Sequence, residues 1–459
     1  MYSEKVRKAL KQRSIKVGDR VTVKKLGRRT EGLLMPQTGA GDPETLVLKL
    51  DSGYNVGIKF KDAGVEISKT RQPRTAKAEQ DYDLGKTSKS LLKLKFDTKN
   101  PAISIISTGG TIASRIDYET GGVTGQKSLS PKEFLHNVPE LGNIVNVRSI
   151  ERPFTKMSED MEPNDWIEIA KVAAKRLNAG DRGVLITHGT DFLHFTAAAL
   201  SFFLRDLTKP VVLVGAQRSS DRGSSDAGLN LICASHAAIG DIAEVGICMH
   251  GRINDDYCLF SRGTHVRKMN TQRRDAFRPI NEYPLAHIWP DGKIKIKNHN
   301  HKKRDDKGKV KLDTSFEPKV AILKAYPGSD PSIIDYYVSK GYRGFVIEAG
   351  ALGHVPTHGK GEWISTIKRH TAKGIPFITT SQCIYGRINP NVYTNLRILH
   401  HDAGAIPGED MLSEVAYVKL GWVLGHKAAA KDPDRVREMM LTSYAGEITR
   451  RTLAGTFLY

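Results

Sequence analysis

Two rhythms of apolar and polar residues divide this chain. Over 1–67 the apolar runs are short and alternate with polar residues, as in Arg20-Val21-Thr22-Val23, Thr30-Glu31-Gly32-Leu33-Leu34, Thr45–Leu50 and Asn55–Lys59. Turn residues separate them at 38–43 and 51–53. A period of two broken by Gly, Asp and Pro predicts short strands. With the basic amphipathic helix Lys5–Gln12 in front, 1–67 reads as a small SH3-like β-barrel. Residues 68–100 are polar, charged and aperiodic, which predicts a linker.

From 101 to 290 solid apolar runs alternate with helical patterns. Strands are expected at 103–107, 184–188, 211–214 and 245–248, and helices at Asp165–Leu177, Phe195–Leu207 and Ala227–Ile239. Uninterrupted apolar strands between helices predict a parallel sheet covered on both faces. The Lys-, His- and Asn-rich stretch 291–317 reads as a second, solvated linker. A further α/β unit fills 318–459, with strands near 320–323, 344–347 and 376–380 and helices near 331–339, 360–373, 411–425 and 433–444. The fold class expected is α/β: two parallel-sheet domains preceded by a small β-barrel.

Two of the expected strands end in turns rich in hydroxyls and glycine. Ser107-Thr108-Gly109-Gly110-Thr111 follows the first, and Thr187-His188-Gly189-Thr190-Asp191 the second. In open α/β sheets ligands bind beyond the carboxyl ends of the strands. Glycines there let backbone N–H groups approach a ligand, and a threonine hydroxyl becomes a nucleophile when a base activates it. A plain alternative for each turn stands beside this reading. Thr-Gly-Gly-Thr can be a tight turn or an anion nest, and Asp191 can cap the helix expected near Phe195. Lys268 is a lone ammonium near a strand end, able to take a hydroxyl proton if buried beside a carboxylate.

Bulk properties narrow the setting. The 459 residues carry 70 Lys and Arg against 50 Asp and Glu, a formal charge of +20. Such a balance favours a polyanionic partner such as RNA, or else a basic solvated surface. The charge is dense in 1–31, in 69–97 and at Lys302-Lys303-Arg304. No aromatic residues are interleaved with these runs as a base-stacking platform requires, so any RNA contact is expected through phosphates and shape. Apolar runs fall short of the ~18–20 residues of a membrane span, and the N-terminus lacks an apolar signal core. The four cysteines form no Cys-x-x-Cys pair, so neither a disulfide framework nor a zinc site is expected, and the setting expected is cytoplasmic.

Taken in order along the chain, these segments resemble the L-asparaginase family of amidohydrolases, over roughly 100–459. Thr-Gly-Gly-Thr-Ile-Ala supplies Thr111, which the resemblance makes the nucleophile. Asp117–Val123 looks like the family's mobile flap, with Tyr118 hydrogen-bonded to that nucleophile. Ser158-Glu159-Asp160-Met161 is similar to the segment that holds the substrate's carboxylate and amino group, with Gly110 also at the substrate. His188-Gly189-Thr190-Asp191 and Lys268 complete the Thr-Lys-Asp set. The chain departs at Phe192, where the family usually has another threonine. That hydroxyl is outside the catalytic set.

Within the family, the N-terminal unit (Glu31–Pro36 and Leu48–Ile58) looks like the extra domain of the archaeal glutamyl-tRNA(Gln) amidotransferase D subunits. Arg273–Arg278, Gly353-His354-Val355-Pro356 and Gly408–Met411 look alike too. This resemblance implies a glutaminase whose ammonia passes to a partner, the E subunit. That partner uses ATP and magnesium to activate glutamate on tRNA(Gln), in an α2β2 assembly containing a homodimer of this chain. No metal or cofactor is implied for this chain, which has no Gly-x-x-x-x-Gly-Lys-Ser/Thr loop. Two rival readings predict different behaviour. A free-standing asparaginase or glutaminase would hydrolyse amides briskly alone. A retired, non-catalytic scaffold would lack a catalytic residue, whereas Thr111, Thr190, Asp191 and Lys268 are all present.

Overall fold

The computed structural model describes residues 2–37, 42–50, 55–60, 65–70, 97–110, 112, 115–116, 123–124, 138–219, 224–358 and 362–459. The turns at 38–41 and 51–54, most of the 68–100 linker, and the 117–122 part of the expected flap lie outside them, as do Thr111 and Tyr118.

The first unit begins with helix α1 (Glu4–Gln12), capped by the Ser3 side chain accepting from the Val6 N–H at 3.3 Å. Five antiparallel strands follow: β1 (Arg20–Lys25), β2 (Arg28–Leu34), β3 (Thr45–Lys49), β4 (Asn55–Lys59) and β5 (Val65–Lys69), in the order β4-β3-β2-β1-β5. The fifth strand starts inside the stretch assigned to the small unit and continues into the predicted linker. Val6 and Leu10 of α1 close over Val21, Val23, Leu34, Leu46, Leu48 and Ile67 in a separate core.

The central sheet has eight strands: β6 (Ala102–Ser107), β7 (Asn146–Glu151), β8 (Gly183–Thr187), β9 (Val211–Val214), β10 (Val245–His250), β11 (Cys258–Arg262), β12 (Ala286–Ile288) and β13 (Ile294–Ile296). Their order is β13-β12-β11-β10-β9-β8-β6-β7. Strands β7 to β10 with β6 are parallel and β8 to β10 are buried along their whole length, as their unbroken apolar runs predict. The last three strands are antiparallel, an extension the sequence pattern did not announce. Parallel strands need covered faces, and the helices α2 (Pro163–Asn178), α3 (Leu193–Phe203) and α4 (Ala227–Ile239) supply them. The chain leaves β6 for β7 on one side and then crosses to β8 on the other. The direction of winding therefore reverses between β6 and β8, which opens a crevice at their carboxyl ends.

The 291–317 stretch is ordered rather than a free tether. Ile294–Ile296 joins the sheet, the Ala243 N–H donates to the Lys302 carbonyl at 2.8 Å, and Lys311–Leu312 pairs with Leu204–Arg205. The second α/β unit has four parallel strands, β14 (Val320–Lys324), β15 (Gly344–Ala349), β16 (Phe377–Ser381) and β17 (Ile406–Pro407), in that order. Helices α5 (Ser332–Ser339), α6 (Trp363–Thr371), α7 (Ser413–Gly425) and α8 (Pro433–Leu441) accompany it. One face of this sheet has its own core around Phe345, Trp363 and Phe377. The other shares the large core of the first unit. There α7 packs on α3, and Phe202 stacks on Trp422 with ring centroids 5.9 Å apart.

Candidate active site at the carboxyl ends of two parallel strands

Strands β6 and β8 run in register, with Ser107 beside Thr187, so both turns emerge at the same height. Thr108 anchors the first turn to the second strand: its N–H and its hydroxyl both donate to the Thr187 carbonyl, at 3.1 and 3.0 Å. Beyond this point there is room only for glycine. Gly109 and Gly110 have φ of +112° and +81°, and a Cβ on Gly110 would stand 2.3 Å from the Gly189 nitrogen. A Cβ on Gly109 would meet the Lys156 carbonyl oxygen at 2.6 Å. The two strand-end turns and the 156–158 segment thus touch backbone to backbone, which a side chain at either glycine would prevent. Thr111 follows directly, and the Ile112 after it is fully buried.

The second turn is fixed from beneath by His188. Its Nδ1 lies 2.6 Å from the Gly189 carbonyl and its Nε2 2.8 Å from the Thr196 hydroxyl. A carbonyl can only accept, so Nδ1 carries the proton and Nε2 accepts from Thr196. Burial holds the ring neutral, lowering its pKa from 6.5 to about 4. Gly215 completes the seat, since a Cβ there would lie 2.7 Å from Thr190 Cγ2 and 3.0 Å from the His188 carbonyl oxygen.

Lys268 reaches this seat from a short ribbon, Val266–Lys268 paired with Phe277–Pro279. The loop between them is braced by Arg273, which donates to both oxygens of Asp275 at 2.8 and 2.9 Å. Lys268 Nζ donates to Thr190 Oγ1 at 2.9 Å and to Asp191 Oδ1 at 2.7 Å. Thr190 is buried and the lysine side chain is only 9% exposed, whereas the Asp191 carboxylate is 61% exposed and so faces incoming solute. Helix α3 begins at Leu193 and has no side-chain cap, so capping is not what Asp191 does.

Ser158 is buried against Gly189, and its hydroxyl accepts from the Phe192 N–H at 3.4 Å. Glu159, beside it in a single 3-10 turn, is exposed. Of the residues expected at the site, Gly110, Ser158, Thr190, Asp191 and Lys268 therefore converge, and Glu159 flanks them. Phe192 points its ring toward Phe195, at 5.7 Å, and is 44% exposed.

A second layer lies behind Lys268 that has no local sequence signal. Arg267 Nη1 donates to Glu414 Oε2 at 3.1 Å, and His194 Nε2 is 3.7 Å from Glu414 Oε1. Glu414 belongs to α7, in the other α/β unit, and burial raises its pKa. Burial, with Arg267, Lys268 and His188 adding to it, lowers His194 to about 3. Among the described residues no group of three or more His, Cys, Asp or Glu side chains is arranged to hold a metal ion.

The site can bring a hydroxyl, an ammonium and a carboxylate to one point beside glycine N–H groups, the equipment of acyl transfer. Comparison with known proteins agrees. The asparaginase N-terminal family matches residues 102–302, the glutaminase/asparaginase C-terminal domain family 319–440, and the GatD N-terminal domain family 15–68. The D subunit of glutamyl-tRNA(Gln) amidotransferase from Pyrococcus furiosus is 49% identical, over 99% of this chain and 100% of its own. The D subunit from Methanothermobacter thermautotrophicus is 44% identical over 99% of both chains. Among solved structures, the thermostable L-asparaginase from Thermococcus kodakarensis is 29% identical with a TM-score of 0.66, covering 76% of this chain and 100% of its own. L-asparaginase I from Vibrio cholerae is 26% identical with a TM-score of 0.64, covering 76% and 99%.

Proposed function

Because this chain belongs to the family of glutamyl-tRNA(Gln) amidotransferase D subunits, with their asparaginase-type fold, we propose that Thr111 opens the side-chain amide of glutamine while Thr190, Asp191 and Lys268 manage protons and charge. It is the glutaminase subunit of a tRNA-dependent amidotransferase. The observation that carries the chemical reading is the Lys268 ammonium seated between Thr190 and Asp191 at the β6/β8 crevice.

A primary amide resists water, so the site must supply a nucleophile, proton transfer and oxyanion stabilisation. Thr111 Oγ bonds to the amide carbon of glutamine. Its proton goes to Tyr118, or through Thr190 to Lys268 in its free-amine form. N–H groups of the Gly109–Thr111 turn stabilise the oxyanion, where a lost donor costs about 3 kcal/mol. The carbon–nitrogen bond then breaks, and the returned proton leaves with ammonia. Water attacks the acyl-threonine and releases glutamate. Asp191 and Glu159 hold the substrate ammonium, and Ser158 and Gly110 its carboxylate end.

Ammonia then serves a partner, the E subunit, which activates glutamate on tRNA(Gln) with ATP and magnesium, so those ligands belong to the partner. The assembly is an α2β2 heterotetramer built on a homodimer of this chain, in the cytoplasm. Supporting this reading over a free-standing asparaginase is the match that extends through the small N-terminal unit to 99% of the chain, where the asparaginases cover 76%.

The test is ammonia release from glutamine and from asparagine by the chain alone, then with partner, ATP, magnesium and Glu-tRNA(Gln). Slow hydrolysis alone and stimulation by the complete mixture are expected. Brisk hydrolysis of asparagine alone, unaffected by the partner, would overturn the coupled reading. Full activity of Thr111→Ala would overturn the nucleophile.

A further inference from the structure

The antiparallel end of the central sheet carries a second cleft, far along the strand order from the β6/β8 crevice. Alternation builds it. His287 lies opposite Leu259 on β11 and opposite Lys295 on β13, while its neighbours Ala286 and Ile288 point into the core. With a period of two, Trp289 continues the His287 face, and Lys293 and Lys297 continue the Lys295 face. Tyr257, just before β11, stacks on the His287 ring at 4.7 Å with planes 11° apart, and Trp289 lies 5.4 Å from Tyr257.

Cations surround these rings. The Arg252 guanidinium stands 5.5 Å from the Tyr257 centroid and the Lys293 ammonium 5.3 Å from that of Trp289. Arg252, Tyr257, His287, Trp289, Lys295 and Lys297 line a cavity of about 540 Å³, which Asp256 also lines. The His287 Nε2 meets the Tyr459 hydroxyl at 2.8 Å. Burial, reinforced by Lys297, Lys295 and Arg252, lowers the His287 pKa to about 4, so the ring is neutral and able to stack. Rings set among Arg and Lys combine what a nucleobase and its phosphate each require.

We propose that this cleft binds a base and its phosphate from single-stranded RNA, through stacking on Trp289 and ion pairing with Lys295, Lys297 and Arg252. The inference rests on the tRNA-dependent reading above and adds to it a contact made by this chain itself. It also gives a role to the lysines at the start of the 291–317 stretch.

Tryptophan fluorescence offers a direct readout. Trp289 is partly exposed, whereas Trp166, Trp363 and Trp422 are buried. The full-length chain would be titrated with a ten-nucleotide oligoadenylate, with duplex RNA of the same length, and with AMP. The expected result is quenching by the single strand and about ten-fold or more weaker binding, by anisotropy of labelled RNA, for Trp289→Ala and for K295E/K297E. The double variant should also lower the slope of log affinity against log salt by about 0.7, the share of one phosphate contact on a single strand. Glutamine hydrolysis should be unchanged in both, which also verifies folding.

Wild-type RNA affinity in both variants would overturn the proposal. So would equal binding of duplex RNA, which would mean phosphate contact without stacking, or saturation by AMP as tight as by the strand, which would mean a free-nucleotide site. A change in oligomeric state on Trp289→Ala with no change in RNA binding would make the face a protein interface instead. Amidation of tRNA by the complete enzyme separates the two readings. If it proceeds while the cleft binds no RNA, only this inference fails. If it never proceeds, the coupled function fails as well.

Discussion

Lys268 and Lys419 each hold a carboxylate at 2.7 Å, one in each α/β unit, but in different surroundings. Lys419 and Glu447 are both fully buried. The ammonium donates to Glu447 and to the Met440 and Thr442 carbonyls, each at 2.7 Å, so its three protons are used. Glu447 in turn accepts from the N–H groups of Tyr444 and Ala445. Nothing is left for a substrate. The Lys268 side chain is mostly covered too, but its carboxylate opens to solvent and it also holds a hydroxyl. A saturated buried pair fixes the path of the chain. A buried cation whose partners face a cleft can exchange a proton with what enters.

Lys268→Ala tests this contrast most severely. Removing a proton-transfer group should cost about 10²–10⁴-fold in glutamine hydrolysis, with urea unfolding close to that of the parent. A variant that kept its rate would place Lys268 with Lys419 as structure. The converse is Lys419→Met, which strands a buried Glu447 charge. It should cost about 3–5 kcal/mol in unfolding free energy while the activity per folded molecule stays the same.

A pH series probes the stability side. Buried His188 has a folded pKa of about 4 against 6.5 in an open chain. The folded state therefore binds its proton less readily than the unfolded state. The stability tied to the neutral ring is fully present above pH 6.5 and is lost as pH falls from 6.5 toward 4. At about 1.4 kcal/mol per unit, the loss is about 3 kcal/mol. His194, lowered to about 3, acts with the same sign. Denaturant unfolding at pH 8, 6 and 4.5 should show the fall, and a flat profile would contradict neutral burial of both rings.

Gly215→Ala is a smaller, geometric perturbation. The new Cβ would push on Thr190 Cγ2 and the His188 carbonyl without touching any charge. A shift of a few tenths of an ångström in Thr190 should lower kcat about ten-fold with KM little changed. The smallest effect belongs to Phe192→Thr. That ring is half-exposed at the start of α3, so stability should move within about 0.5 kcal/mol. A large loss would mean that Phe192, the residue departing from the family pattern, supports the turn after all.

Charge offers a similar contrast between run and fold. In Lys302-Lys303-Arg304, the Arg304 guanidinium donates to the Ile239 and Gly240 carbonyls at 2.8 and 2.7 Å, at the end of α4. A residue counted among the basic run is thus a helix cap. The second cleft draws its lysines from the Lys-rich stretch read as a linker, and its rings from two other segments that pairing brings alongside.

Features that are local or repeated could be read along the chain: the apolar runs of β6, β8, β9 and β10, the helices between them, and the glycine turns whose backbone could pass nowhere else. Short motifs also sufficed to indicate the family, because Thr-Gly-Gly-Thr and His-Gly-Thr-Asp each sit on one strand end. Other features exist only because distant segments meet. Lys268 reaches Thr190 across 78 positions, and Glu414 reaches Arg267 across 147. The antiparallel strands β11 to β13 are short and paired at an edge, with no period long enough to read. Their outer face became visible only when pairing set His287 beside Lys295 and Tyr257 over the His287 ring. Local pattern fixes which side of an element is apolar, but the register between elements fixes which polar groups meet, and chemistry belongs to the second.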